Sequence, residues 1–253
     1  MAPTTLPVAA PVLINAEPLT PTAFAPFGFV LANPNPDLHP SDPGRLPPGA
    51  VRANQGSALK YAGPRALRNG YAAAPSAQPG SPAVSIFMCA ARALRSPAPD
   101  GGGGGGGGLF DVRVLERHPF TTQTFVPLAA DAAATRYLVV VAPDAAPRGG
   151  RAAAAAAGDG HVPHEPLPDV GRLRAFVATG RQAVTYAAGT WHAPMVALGR
   201  VGTAVDFVVV QFANGVGAED CEEVELVGGA GVAVRVGAAA VGMGGLVGSK
   251  AKL

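Results

Sequence analysis

Apolar residues recur along this chain in short blocks rather than at helical spacing. The stretches VSIFMCAAR (84–92), VRVLERH, TQTFVPL, TRYLVVVAPD, LRAFVATG, QAVTYAAG, MVALGR and AVDFVVVQFANG are rich in Val, Phe, Tyr and Thr, with Gly, Pro, Asn or Asp closing or separating them. Blocks of this length joined by turn residues predict strands. Their number predicts a mostly β protein, an antiparallel β-barrel or jelly roll with a few short helices. TAFAPFG near the N-terminus departs from the pattern and suits a short helix, capped by Thr20 or Thr22 and stopped by Pro26 and Gly28. Alternate residues of a barrel strand face inward, so inward polar residues line a cavity. In AVDFVVVQF, Asp206, Val208 and Val210 share one face, and Val205, Phe207, Val209 and Gln211 the other. A lone Asp in so apolar a strand is costly to bury unpaired. Asp206 therefore either orients a neighbouring base or caps a strand end.

Segments that lack the strand pattern divide the chain. Residues 1–19 read as a flexible leader, 20–227 as a single domain with low-complexity loop insertions near 97–108 and 144–168, and 228–253 as a Gly/Ala-rich tail. The polyglycine run at 101–108 loses too much backbone entropy on ordering to form an element. His161 and His164 stand in the second, proline-broken insertion, where an H-x-x-H pair is solvated.

Composition narrows the function classes. The chain has 253 residues, 48% of them hydrophobic, enough for one core of ordinary size. A net charge of +2 with 14% charged residues offers no surface for nucleic acid. Cys89 and Cys221 are too few and too far apart for a disulfide framework and read as reduced, packed thiols. The first 19 residues carry no Lys or Arg, against a signal or transit peptide, and no uninterrupted apolar run is long enough to span a membrane. The expected location is intracellular. The final Ala251, Lys252 and Leu253 resemble the small-basic-Leu tripeptide bound by a peroxisomal import receptor, so in a eukaryote the expectation is peroxisomal, and otherwise cytoplasmic.

Two stretches concentrate chemistry. ERHPFTTQTFVP (116–127) sets Glu116, Arg117, His118 and Gln123 into an apolar region, and TYAAGTWHAP (185–194) puts Tyr186, Gly189, Trp191 and His192 at a sharp bend that can aim an imidazole at a pocket. Glu116-x-His118-x4-Gln123 and Gly189-x2-His192 resemble degenerate forms of the two cupin motifs. With AFAPFGFVL, ANQGSALKY (53–61), VSIFMCAAR, LERHPFTTQTFVPL, YLVVVAPD, LRAFVATGRQAVTYAAGTWHAPM and VDFVVVQFANG in this order, residues 20 to 226 resemble the ureidoglycolate lyase family.

The resemblance implies a cupin-like fold and the elimination of urea from ureidoglycolate to leave glyoxylate, a step of allantoin breakdown. Such a reaction needs a base for the substrate hydroxyl, an acid for the leaving nitrogen and a cation for the carboxylate. His192 and His118 are the candidate base and acid, His192 being favoured as the base, and Glu116 shares the face of His118. Arg117 or Lys60 could grip the carboxylate, although neighbouring strand residues face opposite sides, which sets Arg117 against His118. Asn54, Gln123 and Tyr186 could bond the ureido group or the developing carbonyl, and Asp206 completes the set. The resemblance also implies a homodimer and a divalent metal such as nickel or manganese, with Glu116, His118, Gln123 and His192 as candidate ligands, and no organic cofactor. Two rival readings are a metal-dependent cupin oxygenase or isomerase and a non-catalytic small-molecule binding protein.

Overall fold

The computed structural model describes residues 4–41, 44–64, 67–96, 107–146, 166–229 and 231–241. Most of the polyglycine run, the alanine-rich insertion with His161 and His164, and the C-terminal tripeptide lie outside them. The strands are β1 (Thr4–Pro7), β2 (Val12–Asn15), β3 (Glu17–Pro18), β4 (Gly28–Ala32), β5 (Ala50–Ala53), β6 (Ala58–Tyr61), β7 (Ser81–Ala90), β8 (Gly108–Asp111) and β9 (Val114–Arg117). They continue as β10 (Gln123–Pro127), β11 (Arg136–Ala142), β12 (Arg174–Thr179), β13 (Gln182–Tyr186), β14 (Trp191–His192), β15 (Val196–Leu198), β16 (Ala204–Ala213), β17 (Glu222–Val227) and β18 (Val232–Val236). Among the described residues, helices are limited to α1 (Pro21–Phe24), α2 (Gly217–Asp220), α3 (Ala238–Val241) and a few single 3-10 turns. As expected, Thr20 caps α1: its hydroxyl accepts from the Ala23 N–H at 3.2 Å.

The fold is mostly β with a few short helices, as expected, and its sheets stack as a layered sandwich. The central sheet of eight strands runs β1-β17-β9-β14-β11-β12-β3, with β15 also on β11. A five-stranded sheet, β4-β13-β10-β16-β7, covers one face, and β2-β18-β8 covers the other. The reason is legible in β11, whose sequence RYLVVVA is apolar without alternation, as a strand buried on both faces must be. Its Leu138, Val140 and Ala142 join Leu115, Trp191 and Val234 in one core, while Tyr137, Val139 and Val141 join Phe125, Phe176, Val184 and Phe207 in the other. Each fully buried side chain of this size contributes about 1.5–3 kcal/mol.

Two boundary expectations need correction. The supposed leader is structured from Thr4: β1 pairs in parallel with β17, β2 with β18 and β3 with β12. The supposed tail contains β18, the middle strand of its sheet. Both stretches are apolar enough to pay the ordering entropy once they find each other, although neither has a partner nearby in sequence. These parallel pairs make the central and three-stranded sheets mixed, while the five-stranded sheet is purely antiparallel.

Candidate active site

The site lies between the central and five-stranded sheets. Glu116 on β9 stands directly opposite His192 on β14, and Gln123 on β10 opposite Tyr186 on β13. His118 follows the end of β9, and its carbonyl accepts the Gly189 N–H at 2.9 Å, which ties the two histidine segments together. Gly189 has φ +79°, the left-handed turn that a glycine before Trp191 and His192 makes cheap.

Backbone carbonyls set both imidazoles. His118 Nδ1 lies 2.6 Å from the Asp220 carbonyl and His192 Nδ1 2.9 Å from that of Thr190. A carbonyl only accepts, so both Nδ1 atoms carry hydrogen and both Nε2 lone pairs point into the site. His118 Nε2 is buried there without a hydrogen-bond partner among the described residues. His192 Nε2 faces two acceptors, Glu116 Oε1 at 3.4 Å and Gln123 Oε1 at 3.2 Å, while the Gln123 amide donates to Gln211 Oε1 at 2.9 Å. Lone pairs facing oxygens call for a positive charge, either a proton on an imidazole or a metal ion. Ligand atoms of Glu116, His118 and His192 all lie within 4.8 Å of one another. Two imidazoles and a carboxylate, each imidazole anchored through its other N–H, form a donor set suited to a first-row divalent cation.

The electrostatics agree. Burial pushes the His118 pKa down, and the charge of nearby His192 adds to it, against the opposing pull of the Asp220 carbonyl and Glu116. Burial alone would raise Glu116, but the His192 hydrogen bond and the charges of both histidines outweigh it and hold the carboxyl below its ordinary range. Tyr186 stacks on His192 at 3.9 Å and 13°, and burial pushes its pKa well up, so it stays a neutral phenol. Its neighbour across β4 is Gly28, where a Cβ would stand 1.9 Å from the Thr185 carbonyl oxygen, so only glycine fits.

Other expected site residues are elsewhere. Arg117 turns to the opposite face of β9, as strand alternation warned: its Nε donates to Glu222 Oε2 at 2.7 Å, its NH1 to the Pro166 carbonyl at 2.9 Å, and its guanidinium lies 4.5 Å over the Trp191 ring. It forms the buried back wall of the site. Asp206 is exposed on the outer face of β16, with its carbonyl accepting from Leu128 N–H. Lys60 and Asn54 are exposed on the separate β5–β6 hairpin. Gln211 and Asp220 were missed. Gln211 was the one polar residue on the inward face of AVDFVVVQF, a signal that was available. The Asp220 carbonyl carried none. Glu223 and Cys221 also approach Glu116, with ligand atoms within 4.8 Å; burial and then the surrounding carboxylates, Glu116 foremost, push the Cys221 thiol up to about 12, and both cysteines are free.

Comparison with known proteins bears on this site. The sequence model of the ureidoglycolate lyase family matches residues 11–233. A Schizosaccharomyces pombe protein named ureidoglycolate lyase is 35% identical over 209 residues, 83% of this chain and 89% of its own. Proteins of the same name from Saccharomyces cerevisiae and Burkholderia mallei are each 33% identical, over 75% and 78% of this chain and 80% and 81% of their own.

Proposed function

This chain belongs to the ureidoglycolate lyase family, and from that premise we propose that it is a carbon–nitrogen lyase that eliminates urea from ureidoglycolate to give glyoxylate in allantoin degradation. The carrying observation is the pair of inward Nε2 lone pairs beside Glu116, with His118 Nε2 buried and unpartnered. No water is consumed: the hydroxyl proton leaves as the carbonyl forms, and the departing urea nitrogen gains a proton.

In the cation-free site, His192 Nε2 takes the hydroxyl proton and Glu116, 3.4 Å away, stabilises the resulting imidazolium. The proton held on His192 Nε2 then passes to the departing nitrogen, while His118 Nε2, a lone pair facing the same space, accepts a hydrogen bond from the ureido N–H. Gln123, held by Gln211, and the flat Tyr186 wall orient the ureido group and exclude water. The residues also fit a divalent cation, for which we propose nickel or manganese, held by Glu116, His118 and His192 with Gln123 adjacent. Bound there, it would supply the positive charge that the substrate carboxylate and hydroxyl require. A ligating nitrogen cannot also accept a proton, so Glu223, within 4.8 Å of Glu116, is then the carboxylate left to hold one.

The deciding experiment incubates purified protein with ureidoglycolate, before and after chelation and with nickel or manganese restored, and follows products by proton NMR. Equimolar urea and glyoxylate are expected, with chelator sensitivity choosing between the two states of the site. Silence in every state would make this a binding protein with the family's shell. We further propose a homodimer: β7 is a ten-residue edge strand without a charge, and its Val84, Ile86 and Met88 are 69%, 60% and 77% exposed. Sedimentation as a monomer at micromolar concentration would refute that. In a eukaryote, Ala251, Lys252 and Leu253 fit peroxisomal import, which a blocking C-terminal tag should abolish.

A further inference from the structure

The Asp220 carbonyl that fixes the His118 tautomer closes α2, a single helical turn. The last carbonyls of a helix have no partner within it, so this one can accept from an imidazole. One turn is too short to hold its own place. Two acidic side chains hold it instead. Asp220 Oδ1 accepts from Tyr71 Oη at 2.6 Å and from the Asn214 N–H at 2.9 Å, and Oδ2 accepts from the Gly215 N–H at 2.8 Å. Glu219, only 5% exposed, accepts from the Ser76 N–H at 2.7 Å, the Ser76 hydroxyl at 2.6 Å and the Asn214 side-chain amide at 2.6 Å.

Tyr71 belongs to a strap, residues 68–76, that reaches both segments setting His118. The Arg68 N–H donates to the Thr122 hydroxyl at 2.9 Å and the Gly70 N–H to the Phe120 carbonyl at 2.6 Å, which ties the strap to the chain running from His118 to Gln123. The Tyr71 ring is buried, packs 5.9 Å from that of Phe120 and stands against Gly80, where any Cβ would collide with it. Burial, and then the bond to Asp220, push the Tyr71 pKa well above its ordinary value, so the hydroxyl keeps the proton it donates. The Phe212 carbonyl, 3.2 Å from the same hydroxyl, would alone meet the need of a buried phenol. The shorter bond goes instead to the residue whose carbonyl faces His118.

We propose that Tyr71 is a positioning residue: its hydroxyl, acting through the Asp220 carboxylate, holds the Asp220 carbonyl against His118 Nδ1 and so keeps the His118 Nε2 lone pair turned into the site. Once that carbonyl drifts, hydrogen settles on either ring nitrogen, and an Nε2–H in the site meets the ureido N–H donor to donor. The inference rests on the lyase reading for the ureido partner and stands apart from it for the tautomer.

Tyr71→Phe keeps the ring and removes the hydroxyl. Long-range proton–nitrogen NMR spectra of chelated protein carrying isotope-labelled histidine, at about pH 8 where an ordinary imidazole is neutral, read the tautomer. The His118 signals are those absent from His118→Gln. Wild type should carry hydrogen on Nδ1, and Tyr71→Phe should show a population with hydrogen on Nε2, with kcat/KM lowered about three- to tenfold for the loss of one hydrogen bond. Asp220→Asn removes the charge that strengthens the Tyr71 bond; it should move both readouts the same way and serves where Tyr71→Phe does not fold. Ser76→Ala is the control: it loosens Glu219 in the same turn but leaves the Asp220 carboxylate held, so the melting temperature falls while tautomer and kcat/KM stay as in wild type. A Tyr71→Phe protein with hydrogen on Nδ1 alone overturns the proposal. So does a Ser76→Ala protein whose tautomer shifts equally, since the effect would then be a general loosening. Wild-type protein that releases no urea refutes the lyase reading, while the tautomer is read without substrate and is judged separately.

Discussion

Replacing Arg117 by Met separates a structural role from a substrate-binding one. Arg117 and Glu222 are 2.7 Å apart with side chains only 6% and 7% exposed, and the guanidinium stacks on Trp191. Among the described residues, Glu222 Oε1 already lacks a partner. Removing the cation strands a buried carboxylate, a change that costs about 3–5 kcal/mol. For a domain of this size each kcal/mol moves Tm by about 2–4 °C, so Arg117→Met should melt about 6–20 °C lower. The double variant Arg117→Met, Glu222→Leu removes both charges and should recover most of the loss. The assay is a thermal melt followed by fluorescence of the single Trp, which sits in the perturbed stack, together with KM on folded protein. A melt within two degrees of wild type, or a double variant whose KM rises more than tenfold, would return Arg117 to the substrate and refute the assignment to the back wall.

His192→Gln should lower kcat by about 10²–10⁴ while leaving the far-ultraviolet circular dichroism unchanged; turnover near wild type would remove it from the chemistry. Chelated protein should be at full stability above about pH 6.5, the ordinary His value. Folding holds His118 below that value, so the unfolded chain binds the extra proton and stability declines as pH falls below about 6.5. Glu116, also lowered, adds a further decline below about pH 4.3. Tm measured from pH 8 to 4 should show the first decline in wild type and lose it in His118→Gln; an identical profile in both would locate the titration elsewhere.

Much of the site was legible because its polar residues interrupt apolar strands. Glu116, His118, Gln123, Tyr186 and His192 were visible as costly groups in blocks that otherwise read Val, Phe and Thr, and the structure brings them together. Alternation also gave the objection to Arg117, since period-two facing is local information. Asp206 failed for the opposite reason: the same alternation put it on one face or the other, and which face was wet depends on the neighbouring sheets. His118 takes its tautomer from the main chain of Asp220, and a carbonyl leaves no trace in residue identity. The strands at either end were invisible because nothing within a few residues of Thr4 or Val232 announces a parallel partner.

The pairing of Thr4 with Val224 and of Val12 with Val232 sets a timetable for biosynthesis. At about 5–20 residues per second, β1 waits on the order of ten to forty seconds before its partner has been made. Through that interval the first apolar strands of the nascent chain have no sheet to join, and central strand β17, which β1 borders, is among the last to emerge. Closure across so many residues pays its loop entropy before any contact rewards it, which makes folding slow and largely post-translational. Intolerance of deletions that remove β1 or β18 follows from the same zipper.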